Sequence, residues 1–395
     1  ANNVAIGQQA MQNITSGSSN VAIGKVALNG SGVNPSSSTA VGYAASRYAQ
    51  GNNNVSLGHS SLKGVAGFNG VGNIAIGYEA ADTFELGEQY NVAIGYEAMG
   101  AMQEGSGGGD VDHNIGIGLD AFKGGDLAAN DRQVQGNIAI GSYALDATSD
   151  NAQTGTIAIG HQALTALTSG ADNLAIGYQS LDTCNTGSQN VAVGVLALAA
   201  TDDGTSNTAI GAYCMQLGNA GTSNTAVGNQ SMIDVTGSYN TAVGMQSLFD
   251  ITSGSSNVAL GALAMKDAHA GESHNIAIGV ETMRDVDEDT NTADYNIAIG
   301  SMALLGGTVG GDFLGNIAIG YHALDATGAN AQTGTIAIGH ESMSSLTAGV
   351  ENIAIGYQAM LYQTDGNQNT AVGYKALRNA DNGESVNVAI GKSPP

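Results

Sequence analysis

The chain has 395 residues, of which 59 are Gly, 3 are Pro, 5 are Phe and none is Trp, so the bulky anchors of a single globular core are scarce. Ten Lys and Arg against 34 Asp and Glu give a formal net charge of −24, which leaves no basic surface for nucleic-acid phosphates or an anionic membrane. Gly is abundant without a Gly-X-Y period and Pro is nearly missing, so a collagen triple helix is excluded.

From Asn3 to Gly391 one phrase recurs 22 times: Asn-Val-Ala-Ile-Gly, two variable residues, then a small residue and usually Leu or Met. The closing Gly returns at intervals of 16 to 23 residues, most often 17, and such dense repetition predicts a stacked solenoid. With the Asn as position 0, position 1 is Val, Ile, Leu or Thr, position 2 is nearly always Ala, position 3 is Ile, Val or Leu, and position 4 is Gly. Branched and small residues alternate, which predicts a five-residue strand with one branched and one nearly bare face. Positions 7 and 8, as in Ala27-Leu28, Ala98-Met99 and Ala163-Leu164, predict a second short strand or turn edge.

The rest of each coil is Gly, Ser, Thr, Asn and Asp. Gly stands three residues before the Asn in 11 of 22 repeats, predicting a corner with positive φ. Asn holds position 0 in 19 repeats, with Ser38, Thr156 and Thr335 as exceptions. Stacked in register, these amides are expected to form a coil-to-coil ladder that closes the corner. Asn20, Asn91 and Asn190, with Gly24, Gly95 and Gly194, are therefore assigned structural roles. A helical reading fails because the apolar period is 2 and Gly interrupts every phrase. The expected fold class is all-β: residues 1–395 as one parallel β-solenoid or β-roll of about 22 coils, each advancing roughly 4.8 Å to make a rod of about 100 Å.

A 17-residue coil encloses little, and thin solenoids seldom bury enough surface alone. The small residues at positions 2, 4 and 7 are expected to form a second surface that other backbones approach. Several parallel chains around one axis would bury it, and three is the usual solution for such coils.

The phrases Asn20-Val-Ala-Ile-Gly24, Asn91-Val-Ala-Ile-Gly95 and Asn190-Val-Ala-Val-Gly194 resemble the left-handed parallel β-roll repeats of trimeric autotransporter adhesin heads. The longer form Asn-Thr-Ala-Val-Gly-Tyr-x-Ala-Leu, at Asn369 to Leu377, is similar to repeats in bacteriophage tail-fibre proteins. The resemblance covers essentially the whole chain, and the 17-residue spacing favours phage fibres over the shorter adhesin coil. It implies left-handed coiling, a side-by-side or intertwined homotrimer, an extracellular place on a virion tail fibre or cell surface, and attachment to a cell-surface glycan or protein. It transfers no catalytic residue.

A larger duplication overlies the small one: 137–198 and 316–377 are related by an offset of 179 residues. Copying blocks of coils suits a spacer better than an active site. Longer coils occur at 96–141 and 280–320, and their insertions are expected to project from one side. The first group carries Asp110, Asp112, His113, Asp126, Asp131 and Arg132; the second carries Asp285, Asp287, Glu288, Asp289 and Asp294. These are candidates for receptor or Ca²⁺ binding, against the plainer reading of solvated acidic loops. Asp285-Val-Asp287-Glu-Asp289 begins like a calcium loop, but Thr290 stands where the Gly belongs and Asn296 where the bidentate Glu belongs. No other cofactor is expected.

Seven of the 14 Tyr follow the repeat Gly directly, Tyr78 and Tyr96 among them, either to stack on sugars or to cover the turn or subunit boundary. His59, His161 and His340 share that register, but no His-x-His pair supports a metal. Cys184 and Cys214 lie in different registers and suggest neither a disulfide framework nor a zinc site. No nucleophile elbow and no phosphate loop is present.

No charged-then-apolar leader and no run of about 18 apolar residues occurs, so neither a signal peptide nor a membrane span is expected. Complete repeats stand at both ends and neither reads as a cap, so further fibre segments or end-to-end copies are expected. The leading expectation is a non-enzymatic fibre shaft or attachment protein, with a bacterial trimeric adhesin or filament subunit as alternative. A polysaccharide-degrading tailspike is the alternative of another class. Ice binding fits badly, since position 1 is Thr at only 39, 208, 225, 241 and 370.

Overall fold

Alternation in the repeat puts positions 1 and 3 on one side of a strand and position 2 on the other. In the computed structural model, which describes residues 2–30, 34–85, 87–102, 110–124, 133–147, 153–267, 271–285, 293–306, 312–326, 332–380 and 383–392, every repeat forms such a strand. Each spans positions 1 to 3, three residues rather than five, because the Gly that follows leaves the extended region. The chain divides into two compact units, Ala1–Thr205 and Ser206–Pro395.

In the first unit eleven such strands, from Val4–Ile6 to Val191–Val193, pair in parallel with each strand beside the next in sequence. The second unit repeats the arrangement with eleven strands from Thr208–Ile210 to Val388–Ile390. Register is exact in kind: position 2 meets position 2, as Ala175 meets Ala192 and Ala226 meets Ala242. Each unit is thus an all-β parallel solenoid, with no helix among the described residues. Accordingly none of these residues belongs to a helix long and apolar enough to cross a membrane.

The two faces of the strand lie opposite to the sequence expectation. The position 2 residues, among them Ala22, Ala93, Ala192, Ala226 and Ala354, are fully or almost fully buried inside their own coil. Positions 1 and 3 point outward, and Ile23, Ile140 and Ile176 are 36–37 % exposed. The bare face is therefore the lining of the coil rather than a surface for other chains. Alternation alone fixes parity, not which parity faces inward. The narrow interior decides it, because Ala at positions 2 and 7 leaves room for one large residue at position 8, such as Leu28, Met99 or Leu164, all fully buried. Phe68, Phe84, Leu167 and Cys184 fill the far corner in their coils.

Positions 5 to 8 form a turn rather than a second strand. Positions 6 and 8 are left-handed in coil after coil: Glu97 has φ 48° and Met99 φ 54°, Gln179 φ 50° and Leu181 φ 51°. This conformation costs an L-residue roughly 1–2 kcal/mol. Burying a Leu or Met side chain contributes about 1.5–3 kcal/mol, which outweighs the strain at position 8. The turns also bond between coils: Glu97 N–H donates to the Tyr78 carbonyl at 2.9 Å and Met99 N–H to the Ala121 carbonyl at 3.1 Å.

The repeat Gly is required twice over. At Gly177 φ is 141°, and a Cβ there would lie 2.2 Å from the Gly194 carbonyl oxygen of the next coil. The Gly three residues before the Asn has positive φ at Gly170, Gly349 and Gly366. At Gly51 and Gly187 the reason is instead close approach, since a Cβ would stand 1.9 and 2.4 Å from a carbonyl of the following coil.

The asparagine ladder is present as expected. Asn91 donates its side-chain N–H to the Val111 carbonyl at 2.6 Å, and its Oδ1 accepts the Asn114 backbone N–H at 3.0 Å. Asn20 links Asn3, Pro35 and Ser38 in the same way, and Asn190 closes its corner on the Gly204 carbonyl at 2.8 Å. Thr156 and Thr335, which lack an amide, have hydroxyls without a hydrogen-bond partner among the described residues.

Candidate functional site

The longer coils add order of their own. In the first unit Val111–Asp112, Val134–Gln135 and Gln153–Thr154 form a second, three-stranded parallel sheet. In the second unit Ala293–Asp294, Phe313–Leu314 and Gln332–Thr333 do the same. Their first residues turn inward and are buried, as at Val111, Val134, Ala293 and Phe313, and their second residues face out.

The acidic candidates at this sheet are engaged in local bonding. Asp112 Oδ1 accepts the Gln89 backbone N–H at 2.6 Å, and burial raises its carboxyl above the usual range. Asp294 accepts the Ser273 N–H at 2.7 Å, and Asp110 accepts from the Gln135 side chain at 3.3 Å. His113, with φ 59°, lies against the Tyr90 ring at 5.2 Å. Asp285 is held on two sides by Arg284, which also reaches Glu281 at 2.7 Å. Burial pushes the Asp285 carboxyl up, but the guanidinium overrides it and holds the group below the usual range. Asp126, Asp131, Arg132, Asp287, Glu288 and Asp289 lie outside the described residues. Among the described residues no group of three or more His, Cys, Asp or Glu is placed to hold a metal ion.

The aromatic residues after the repeat Gly are brought together. In the first unit Tyr43, His59, Tyr78 and Tyr96 stack in succession, with ring centroids 4.9, 5.1 and 5.0 Å apart and planes within 20° of parallel. In the second unit Tyr321, His340, Tyr357 and Tyr374 repeat the order Tyr-His-Tyr-Tyr at 5.3, 5.2 and 5.3 Å. All six described histidines lie against a tyrosine ring. Sequence reasoning had the Tyr and His separately; their shared register in successive coils was the signal that joins them.

Charge beside these ladders is uneven. The Tyr78 and Tyr96 hydroxyls bond to Glu79 and Glu97, whose carboxylates raise both phenols. Lys123 pairs with Glu97 at 2.8 Å and Asp120 at 3.0 Å, holding Glu97 below its usual range. Asp82, on the same side, is pushed up to about 6, first by burial and then by the Glu79 charge.

Other reactive groups are subdued. Cys184 and Cys214 are buried free thiols pushed by burial up to about 11 and about 12, out of the reactive range. An open hollow of about 590 Å³ lies over the last coil, lined by Ala376 to Ala380 and Val388 to Lys392, with Arg378 and Lys392 its charged residues.

No protein-family model matches the chain, and no curated protein or solved structure matches it either.

Proposed function

We propose that the chain is a structural segment of an extracellular homotrimeric fibre, of the kind its repeats resemble in bacteriophage tail fibres, serving as shaft and presenting surface for host attachment. The observation that carries this reading is the outward face of the strands. Positions 1 and 3 form two columns of Val, Ile, Leu and Thr in each unit, with Leu57 48 %, Ile210 42 % and Val243 40 % exposed. Apolar columns continued through eleven successive coils are the kind of outward surface that protein contacts cover, which supports reading this face as an interface.

Three copies set face to face around one axis would cover these columns, with the coils left-handed as the resemblance implies. The subunit contact is thus the branched face, in place of the small-residue face. Covering each Ile or Val contributes about 1 kcal/mol or more, so many in-register pairs sum to a stable assembly. Fibre segments that differ in sequence are free to continue the stack at either end.

The test is a pair of lysine substitutions, Ile176→Lys and Ile210→Lys, read by sedimentation. Both residues are outward, so the coil should still form and the trimer should dissociate. Retention of the trimer in both variants would contradict the reading. Co-purification with virions separates a tail fibre from a bacterial trimeric adhesin. Release of new reducing ends from host polysaccharide would instead favour a degrading tailspike.

A further inference from the structure

The asparagine ladder breaks at Thr156 in the first unit and at Thr335 in the second, and the two breaks take the same form. An Asn at position 0 serves the next coil twice. Its Oδ1 accepts the position 0 N–H of that coil and its Nδ2 donates to the carbonyl three residues earlier, as Asn137 does with the Thr156 N–H and the Gln153 carbonyl, each at 2.9 Å. Asn316 serves Thr335 and Gln332 in the same way, at 3.0 and 2.8 Å. Thr156 and Thr335 have no amide with which to continue. The groups an amide would reach are the Asn173 N–H and Gly170 carbonyl after Thr156, and the Asn352 N–H and Gly349 carbonyl after Thr335. None of these four is hydrogen-bonded to another group among the described residues.

A further polar group is orphaned at each of these corners. Both Thr stand three residues after a Gln, Gln153 and Gln332, and no other repeat has Gln at that position. Each Gln is fully buried and donates its Nε2 to a carbonyl of the next coil, Leu167 at 3.0 Å and Leu346 at 2.8 Å, which leaves its Oε1 unpaired. The Thr156 and Thr335 hydroxyls are buried and unpaired as well. Polar groups enclosed in this way are costly unless something bonds to them. Ser38, the third exception in the ladder, shows how a break is closed by protein groups alone. Its Oγ accepts the Asn54 N–H at 3.3 Å, and the Asn54 Nδ2 turns back to the Gly51 carbonyl at 3.1 Å.

We propose that one water molecule is bound inside the corner at each Thr break, held by Thr156, Asn173, Gly170 and Gln153 in the first unit and by Thr335, Asn352, Gly349 and Gln332 in the second. The water replaces the missing amide as a rung of the ladder. It accepts the Asn N–H and the Thr hydroxyl proton and donates to the Gln Oε1 and the Gly carbonyl, so both of its protons and both of its lone pairs are used. That is the full set of partners an internal water takes. Thr leaves the room, because its side chain ends one bond nearer the backbone than that of Asn. Gln in place of the more usual Gly supplies the fourth partner, which accounts for its occurring only beside Thr. Both sites lie in the duplicated blocks 137–198 and 316–377, so the pair of residues was copied together.

Diffraction from crystals of the intact protein, of Thr156→Asn and of Thr335→Asn, at a resolution that shows ordered water, tests the assignment. The parent should show one solvent peak at each break, within hydrogen-bond distance of the four groups. Each variant installs the residue that holds position 0 in 19 repeats, so the coil should still form. Thr156→Asn should lose the first peak, its amide bonding Asn173 and Gly170 directly, and keep the peak at Thr335. Thr335→Asn should do the reverse, so each variant carries the other site as its control. The proposal is overturned if the parent shows no peak at either break, if the Thr156 and Thr335 hydroxyls bond the Asn173 and Asn352 N–H groups directly as Ser38 bonds Asn54, or if the peak persists beside a newly installed Asn.

Discussion

Glycine and non-glycine residues share positive φ in this chain but for different reasons, and they should respond differently to substitution. Gly177 cannot accept a Cβ, because its φ is 141° and the Gly194 oxygen lies 2.2 Å from where that atom would stand. Gly177→Ala is expected to cost about 3 kcal/mol or more, read by urea melting, since backbone of the next coil must move. Tyr239 has φ 62° but is 65 % exposed. Tyr239→Gly should stay within about 1 kcal/mol of the parent, relief of left-handed strain being offset by the greater freedom of Gly when unfolded. Equal effects of the two substitutions would show that the coil tolerates a Cβ at the repeat Gly.

Asp82 gives a pH signature at the same scale. Its carboxyl titrates near 6 in the fold, above its ordinary value of 3.8, because burial and the Glu79 charge disfavour ionisation. Below pH 4 it is protonated in both states and costs nothing. As pH rises from 4 to 6 the unfolded chain releases the proton first, so stability falls, and above 6 the loss is constant. After allowance for solvent around a half-exposed group, Asp82→Asn should gain about 1 kcal/mol at pH 7 and nothing at pH 4. Identical pH slopes for the two proteins would contradict the assignment.

At the scale of the coil, stability rests on a thin interior and one amide ladder. Ala192 is fully buried, whereas Tyr96 is 49 % exposed. Ala192→Phe is expected to abolish local order or lower the melting temperature far more than Tyr96→Ala, because two neighbouring coils confine the added ring. Asn173 donates to the Gly187 carbonyl at 2.8 Å and accepts the Asn190 N–H at 3.0 Å, both within the buried corner. Asn173→Ala should therefore cost about 2–4 kcal/mol, with the Asn190 amide losing protection in hydrogen exchange. Unchanged protection of that amide would argue against a stabilising ladder.

The coil was largely legible because the repeat states its own register: Asn at the corner, period 2 through the strand and Gly at its end each have one physical use. What the sequence left open was direction. Val-Ala-Ile reads equally well with Ile inside or outside, and only the size of the enclosed space, set by Ala27 with Leu28 or Ala98 with Met99, decides it. The left-handed conformations at Glu97 and Met99 were also hidden, because neither residue prefers that region and coil-to-coil bonds select it. Among candidate residues, Tyr78 and Tyr96 stand where a surface site can be, while Asp112 and Asp285 serve local structure.

At the scale of the whole chain, each of the two units presents a repeated surface. Each carries outward branched columns, a ring ladder and a short second sheet, and the 179-residue offset relates part of one unit to part of the other.

The branched face as the joint between copies is the centre of this account. Sedimentation equilibrium of the protein, alongside Ile176→Lys and Ile210→Lys, tests it most directly. Three chain masses for the parent and one for the folded lysine variants are predicted. A parent that sediments as one chain mass while remaining folded at micromolar concentration would contradict it.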